Sequence, residues 1–320
     1  MSVHSFLKLV EIQTKVASII PFLLGTFYAL YRFDAFDLRN FVFMLVSLLC
    51  IDMATTAINN YLDYKRASKK TGYGYENHNA IVRYNLKEIT VLSAIIVLLS
   101  VAATFGIMLY LNTNIVVLIL GAISFATGIL YSFGPVPISR TPFGEILSGG
   151  FMGFFIPYIA VYIHVFDKDL INIVLQNGIL NMKIDILEVL YVFLISVPAV
   201  IGIANIMLAN NICDIEDDIE NKRYTLPIYI GKANALKVYK ISYYLVYIDL
   251  IILLLLRVAP FVSVIVLITF VPVNRHIKVF YEKQAKKDTF VSAVKNFVVI
   301  NAILALTIAL AAIINYFYKV

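Results

Sequence analysis

An all-α membrane protein of about nine spans is the fold class this sequence predicts, and three observations predict it. Hydrophobic residues make up 61% of the 320-residue chain and charged residues only 14%, against roughly 45–50% and 25% in soluble proteins. Apolar runs of about 16–23 residues recur along the sequence, long enough to cross a hydrocarbon core of roughly 30 Å. The 26 Lys and Arg residues gather in the segments between those runs. A soluble enzyme, a disordered scaffold and a disulfide-stapled secreted domain are excluded, and a β-barrel would need short alternating segments instead. The net charge of +6 belongs to loops at an anionic membrane surface, not to a nucleic-acid-binding patch.

The first span is expected near residues 9–31. It runs past Lys15 with no small-residue cleavage pattern behind it, so it reads as a retained helix. Further spans are expected near 41–62, 89–111, 115–133, 144–166, 188–210, 239–256, 258–273 and 295–318. Only Arg257 and the Pro260 region divide the seventh from the eighth. Nine crossings put the termini on opposite sides, and 20 of the 26 basic residues then share the side of the N-terminus. The positive-inside rule makes that side cytoplasmic and the C-terminus external, in a multi-pass plasma-membrane protein. The long segments 64–88, 211–238 and 274–294 are then cytoplasmic. The opposite segment 167–187, with Asp167, Lys168, Asp169 and Asp185, reads as a solvated loop. Cys50 and Cys213 are far apart, form no CxxC, and imply neither a disulfide nor a metal site.

One motif occurs twice. The second span ends in Asn59-Asn60-Tyr61-Leu62-Asp63 and the sixth in Asn210-Asn211-Ile212-Cys213-Asp214, followed by Ile215-Glu216-Asp217-Asp218. The two NNxxD copies lie four spans apart, which keeps both at the cytoplasmic edge. They mark an internal repeat, with halves of about 1–140 and 141–320 in one transmembrane domain, whose copies converge on one site. Asn59 and Asp63 share a helix face, and Asn210, Asp214 and Asp218 extend the same spacing by a turn. Carboxylate and amide oxygens suit Mg²⁺, which pairs one or two carboxylates with substrate phosphates. Asn59, Asn60, Asp63, Asn210, Asp214 and Asp218 are therefore the metal candidates. Lys65, Arg66, Lys222 and Arg223 flank them and are placed to neutralise a diphosphate. Helix caps beside a solvated acidic loop are the plainer reading of either copy alone.

Other polar residues are more ambiguous. Asp52 lies on the motif's own helix face, about 16 Å deeper than Asp63. A carboxylate at that depth marks function by default; it would bind or help deprotonate an acceptor's hydroxyls, or serve as a packing group. Glu11 and Lys15 are an i,i+4 pair at the start of the first span. The loop Thr71 to Ala80, rich in Gly and Tyr, reads as a lid or an ordinary loop, with Arg83 behind it reaching for phosphate. Asp249 has no assigned role, and His78 and His164 lack ligand-spaced partners.

Together these residues resemble the UbiA-type intramembrane aromatic prenyltransferases of quinone biosynthesis, over essentially the whole chain. That family has about nine helices and Asp-rich motifs on the second and sixth. Residues 210–231, NNICDIEDDIENKRYTLPIYIG, are most similar to the branch that prenylates 1,4-dihydroxy-2-naphthoate for menaquinone. The match falls on Asn210, Asn211, Asp214, Asp218, Thr225, Leu226 and Gly231. Tyr131-Ser-Phe-Gly-Pro135 and Gly144-Glu145 are similar to the same branch's signature after the fourth helix.

The resemblance implies Mg²⁺-dependent transfer of a polyprenyl group from polyprenyl diphosphate to an aromatic acid, with loss of diphosphate and CO₂. It implies Lys15 for the acceptor carboxylate, Tyr131 for the allylic cation, and Asp63, Asp214 and Asp218 for catalysis. Arg140, after the fourth span, joins the diphosphate candidates. The departures are that Asn60 stands where the family usually has Asp, no acid occupies 67–69, and Cys213 replaces a common Arg. Either Glu76 or a more loosely held ion would compensate. The alternatives are the same chemistry on 4-hydroxybenzoate, homogentisate or a tetrapyrrole, and a transporter, whose polar breaks would sit nearer mid-bilayer.

Overall fold

The computed structural model describes residues 1–66, 79–132, 137–168, 170–176 and 178–318. The lid-like loop through His78, with Glu76, lies outside them, as does most of the Tyr131–Pro135 signature beyond Ser132. Among the described residues, eight helices are long and apolar enough to cross a membrane, and a shorter apolar helix makes the fourth span.

The first span is not one helix. Helix α1 (Val3–Leu9) starts at a Ser2 cap, and Glu11 then takes a left-handed conformation, φ 48°. A 3₁₀ turn, Ile12–Lys15, leads into α2, Val16–Phe33. The second span, α3 (Leu38–Arg66), outruns the expected boundary at residue 62. A single turn, α4 (Ala80–Arg83), is capped by the Asn79 side chain and precedes the third and fourth spans, α5 (Glu88–Asn112) and α6 (Ile115–Ser132). The fifth span is α7 (Gly144–Ser148), a π-helical stretch Gly149–Phe155 and α8, Ile156–Val165.

The segment 167–187 is more than a solvated loop. It forms an antiparallel hairpin, β1 (Ile171–Gln176) and β2 (Ile179–Ile184), registered Ile171 to Ile184. Gly178, just before β2, takes a left-handed φ of 78°, and the sequence there reads Asn-Gly, the dipeptide that a two-residue hairpin turn favours. This two-stranded hairpin is the one sheet among the described residues, and the all-α class stands.

The sixth span, α9 (Ile186–Cys213), begins at an Asp185 cap. The expected cytoplasmic loop after it contains α10 (Ile215–Glu220) and α11 (Leu226–Ile230). The seventh span, α12 (Lys232–Leu255), starts seven residues before the expected 239, because a helix outside the apolar run carries lysines and reads as loop. Arg257 at φ 56° separates it from the eighth. That span is a 3₁₀ stretch, Phe261–Thr269, continued as α13, Phe270–Glu282. The ninth is α14, Val291–Tyr318.

The main core joins the first, fifth, sixth, seventh and ninth spans, around fully buried Tyr28, Tyr162, Tyr239, Tyr243 and Phe297. In lipid, apolar burial does not drive helices together, so close backbone approach and interhelical hydrogen bonds matter more. At Gly25, a Cβ would sit 2.3 Å from the Pro157 carbonyl oxygen, and at Gly153, 2.4 Å from the Val200 Cα. Glycine is what lets the first and fifth spans, and the fifth and sixth, touch. Asn40 adds polar glue away from the motifs, donating to the Ile163 carbonyl at 2.8 Å and accepting from Asn112 at 2.6 Å.

Candidate active site

One face of α3 reads Met44, Ser47, Leu48, Ile51, Asp52, Thr55, Thr56, Asn59, a stripe at steps of three and four that all lines a single cavity. The facing stripe of α9 is Ile203, Ile206, Met207 and Asn210, and α6 adds Phe125, Gly128 and Tyr131. The cavity holds about 460 Å³, within the usual range of ligand sites. From Asn59 to Met44 it follows α3 for ~22 Å. Its polar end has Asp52, Thr56, Asn59, Tyr131 and Asn210; its far end has Met44, Leu109, Val117, Ile156 and Ile159. Phe151 and Met152 of the π-helical stretch form part of the wall. A π turn widens a helix locally and is frequent at functional sites.

The two motifs meet here, through their leading asparagines. Asn59 Oδ1 is buried without a hydrogen-bond partner. The acids lie one or two turns further out, about 6 Å per four residues. Asp63 is exposed. Asp214 and Asp218 are buried, at 8% and 2% of their accessible surface. Burial pushes the Asp218 carboxyl above its usual range, opposed by nearby Arg223 and by a hydrogen bond from the Thr225 hydroxyl. Among the described residues no three acids, thiols or imidazoles cluster closely enough to hold a metal by themselves. The donors the motifs bring to the cavity are the Asn59 and Asn210 amides, and the Asp214 and Asp218 carboxylates follow along the second motif.

The cations are distributed differently from the expectation. Arg223 reaches Asp218 at 3.4 Å and the Ser139 carbonyl at 3.4 Å. Tyr224 donates its backbone N–H to the Arg140 carbonyl at 3.2 Å, so the Ile138–Arg140 turn and the second motif are stitched together. Arg140 is thereby beside the site. Lys222 is exposed in a left-handed turn, φ 55°. Lys65 is not at the cavity: it pairs with Glu88 at 2.7 Å on the surface, because α3 and α5 pack side by side there. The Tyr61 hydroxyl shares that carboxylate. Arg83 is exposed, over the Tyr84 ring, and the Arg66 side chain lies outside the described residues.

Three further placements differ from the sequence reading. Asn60 does not face the metal candidates; its amide nitrogen donates to the Leu9 carbonyl at 2.9 Å and lies 3.3 Å from Glu11 Oε1. One residue along a helix turns a side chain through about 100°, so Asn59 and Asn60 cannot share a target. Glu11 and Lys15 form no i,i+4 pair, because the left-handed Glu11 breaks the helix between them. Lys15, 2% exposed, pairs instead with Asp52 at 2.6 Å and donates to the Thr56 hydroxyl at 2.7 Å. Ser18 donates to the other Asp52 oxygen. A buried ammonium needs an anionic partner, and the half-buried Asp52 carboxylate at the cavity wall supplies it.

Sequence reasoning missed several residues. Lys286 binds Asp214 at 2.5 Å. Glu145 is buried and accepts from Asn211 Nδ2 at 2.8 Å. Met207 accepts from the Tyr131 hydroxyl at 3.2 Å. Of these, only Glu145 stood in a quoted signature. Asp249 is buried in the seventh span, away from the cavity lining, with Oδ2 unpartnered. His164 Nδ1 accepts the Asp37 backbone N–H at 3.0 Å, a packing role.

The chain can now be compared with known proteins. The UbiA prenyltransferase family model matches residues 18–298. The 1,4-dihydroxy-2-naphthoate octaprenyltransferase of Bacillus subtilis (strain 168) is 32% identical over 309 residues, covering 95% of this chain and 91% of that protein. The fold is shared with the apo UbiA homolog of Aeropyrum pernix K1, with TM-score 0.67, 15% identity, and 93% and 98% of the two chains covered. It is shared also with the Archaeoglobus fulgidus homolog solved with GPP and Mg²⁺, with TM-score 0.65, 13% identity, and 96% and 99% covered. A family match over nearly the whole bundle, joined to a full-length relative at this identity, places the paired asparagine–aspartate motifs in their context: the chain belongs to the UbiA prenyltransferase family.

Proposed function

We propose that this prenyltransferase moves a polyprenyl group from polyprenyl diphosphate to 1,4-dihydroxy-2-naphthoate in menaquinone biosynthesis, releasing diphosphate and CO₂. The observation that carries the proposal is the cavity: a long apolar shaft whose polar end is lined by Asp52, Asn59 and Asn210, with Asp214 one helical turn beyond Asn210 and paired to Lys286. The full-length relative's name supports the acceptor.

Asn59, Asn210, Asp214 and Asp218 would hold Mg²⁺, with Asp63 at the rim. The unpartnered Asn59 oxygen and the all-oxygen donor set fit a hard cation completed by phosphate oxygens. Bound there, the ion would supply charge stabilisation to the leaving diphosphate. Arg223 and Arg140 hold the diphosphate over the mouth. The prenyl chain lies along the apolar wall of α3, which excludes water from the allylic carbon. The Tyr131 ring, its hydroxyl tied to Met207, faces the junction of polar and apolar halves, where positive charge develops. The C–O bond to diphosphate breaks and a C–C bond forms at the carboxyl-bearing carbon of the naphthoate. The carboxylate leaves as CO₂, and its electron pair restores aromaticity, so no net proton is transferred.

Asp52 accepts a hydrogen bond from an acceptor hydroxyl and so enriches the ring, while Lys15 and Ser18 hold its carboxylate in place. Because Lys15 is already paired, the acceptor carboxylate is left to the arginines at the mouth. The two repeat halves, 1–140 and 141–320, each supply one motif helix packed on the helix that follows it, α3 on α5 and α9 on α12. The N-terminus and the site face the cytoplasm across the plasma membrane, with the C-terminus outside.

The test is incubation of the purified protein with Mg²⁺, a polyprenyl diphosphate and a panel of aromatic acids, with products identified by mass. A prenylated naphthohydroquinone lacking its carboxyl group is expected. A product that keeps its carboxylate would move the chain to 4-hydroxybenzoate chemistry, and no product from any acceptor would sink the proposal.

A further inference from the structure

Resting on the prenyl-transfer reading, we propose that Lys286 is a diphosphate-binding residue that exchanges partners, leaving Asp214 for a phosphate oxygen when a metal diphosphate enters. Nothing in the paired motifs points to this lysine. It comes from the segment between the eighth and ninth spans, 72 residues from its partner.

The local geometry presents it at the mouth. Thr289, buried, donates its hydroxyl to the Lys283 and Ala285 carbonyls at 2.8 and 3.2 Å and accepts the Ala285 N–H at 2.9 Å. The backbone N–H groups of Thr289 and Phe290 also return to the Ala285 carbonyl. This closed turn is anchored by Phe290, which lines the cavity itself. One end of the turn is thus a cavity wall, and the other holds an ammonium on a motif carboxylate, at 2.5 Å from Asp214 Oδ2.

The pair is asymmetric. The Asp214 side chain is 10% exposed, whereas Lys286 is 57% exposed, so the carboxylate is fixed and the lysine stem has space to swing. A divalent ion taking an Asp214 oxygen repels the ammonium already there. The incoming diphosphate offers that ammonium a new anion close by, and lysine binds phosphate as a mobile point charge. Before substrate arrives, the same lysine offsets the repulsion that Asp214, Glu216, Asp217 and Asp218 exert on an approaching diphosphate. Lys286 therefore competes with the metal alone and cooperates with the metal diphosphate.

That opposition of sign is the test, read by calorimetric titration of the full chain in detergent. Mg²⁺ alone and inorganic diphosphate with Mg²⁺ are titrated into wild type, Lys286→Gln, Lys286→Arg and Lys283→Gln. Lys286→Gln should weaken diphosphate on the order of 10-fold or more, the loss of one charge-assisted hydrogen bond, while Mg²⁺ alone binds as well or better. Lys286→Arg, which preserves the charge and guards against a folding failure of the glutamine variant, should retain most diphosphate affinity. Lys283→Gln removes an exposed lysine that pairs with Asp288 and should change neither. Diphosphate binding to Lys286→Gln at wild-type strength would overturn the proposal. So would equal weakening of both ligands with a fall in melting temperature, the mark of a loop tether. If wild type itself fails to bind Mg²⁺ with diphosphate, it is the prenyl-transfer reading that falls.

Discussion

Asp52 and Lys15 show how much a single buried pair can decide. Each would be costly alone within a span, and their contact at 2.6 Å, with Ser18 and Thr56 completing the set, makes both tolerable. Lys15→Met should therefore destabilise the protein by about 1–3 kcal/mol, since it removes the charged partner of a half-buried carboxylate. Thermal unfolding in detergent measures this, and the double variant with Asp52→Asn should recover much of the loss. If the single variant melts like wild type, the pair is not holding the first span to the second. Asp52→Asn alone should slow transfer to the acceptor more than it weakens diphosphate binding; equal transfer would make Asp52 a packing residue. Asp214→Ala and Asp218→Ala should each lower turnover by at least ~10²-fold, as loss of one preorganised electrostatic contact does, and chelation of Mg²⁺ should abolish it. Near wild-type turnover in either variant at saturating Mg²⁺ would remove that residue from the metal site.

The fifth span earns its irregular geometry through glycine. Gly149 and Gly153 face Val200 so closely that no Cβ fits at Gly153 without moving backbone, whereas Gly150 in the same stretch faces open space. Gly153→Ala should cost about 1–3 kcal/mol by overpacking. It should also impair transfer, because the π-helical wall residues Phe151 and Met152 must shift with it. Gly150→Ala is the matched control and should leave melting temperature and activity near wild type. Equal destabilisation by the two substitutions would mean that the contact with the sixth span is not what Gly153 protects, since Ala is the better helix former. The hairpin 171–184 belongs to this scale too. The Asn-Gly dipeptide between apolar runs is a legible hairpin signal, hidden by the acids and lysines on either side that made the segment read as solvated.

For the whole molecule, the charge distribution predicts an N-terminus inside and a C-terminus outside. In a variant without Cys50 and Cys213, a cysteine at position 68 or 285 should label from the cytoplasmic face. A cysteine appended after Val320 should label from the opposite face. Labelling of all three from one side would require an even number of crossings. That orientation would put the second motif and the Lys286 turn on the cytoplasmic side, where the headgroup of a polyprenyl diphosphate would lie.

The membrane bundle and its spans were determined by the sequence alone, because the free energy of placing a residue in hydrocarbon is local and nearly additive along a run. The leading asparagines were legible for a similar reason. Their spacing fixes which residues share a helix face, and Asp52 could be assigned to that face by counting turns. What sequence could not decide is the rotation and approach of one helix against another. That rotation turned Asn60 toward the first span, set Lys65 on Glu88 rather than on the cavity, paired Lys15 with Asp52 and carried Lys286 to Asp214. Helix ends were misjudged where lysines extend a helix beyond the apolar run, as at Lys232. Hydropathy reports the solvent around a residue; hydrogen bonds between distant segments depend on packing, and only the tertiary structure brings them within reach.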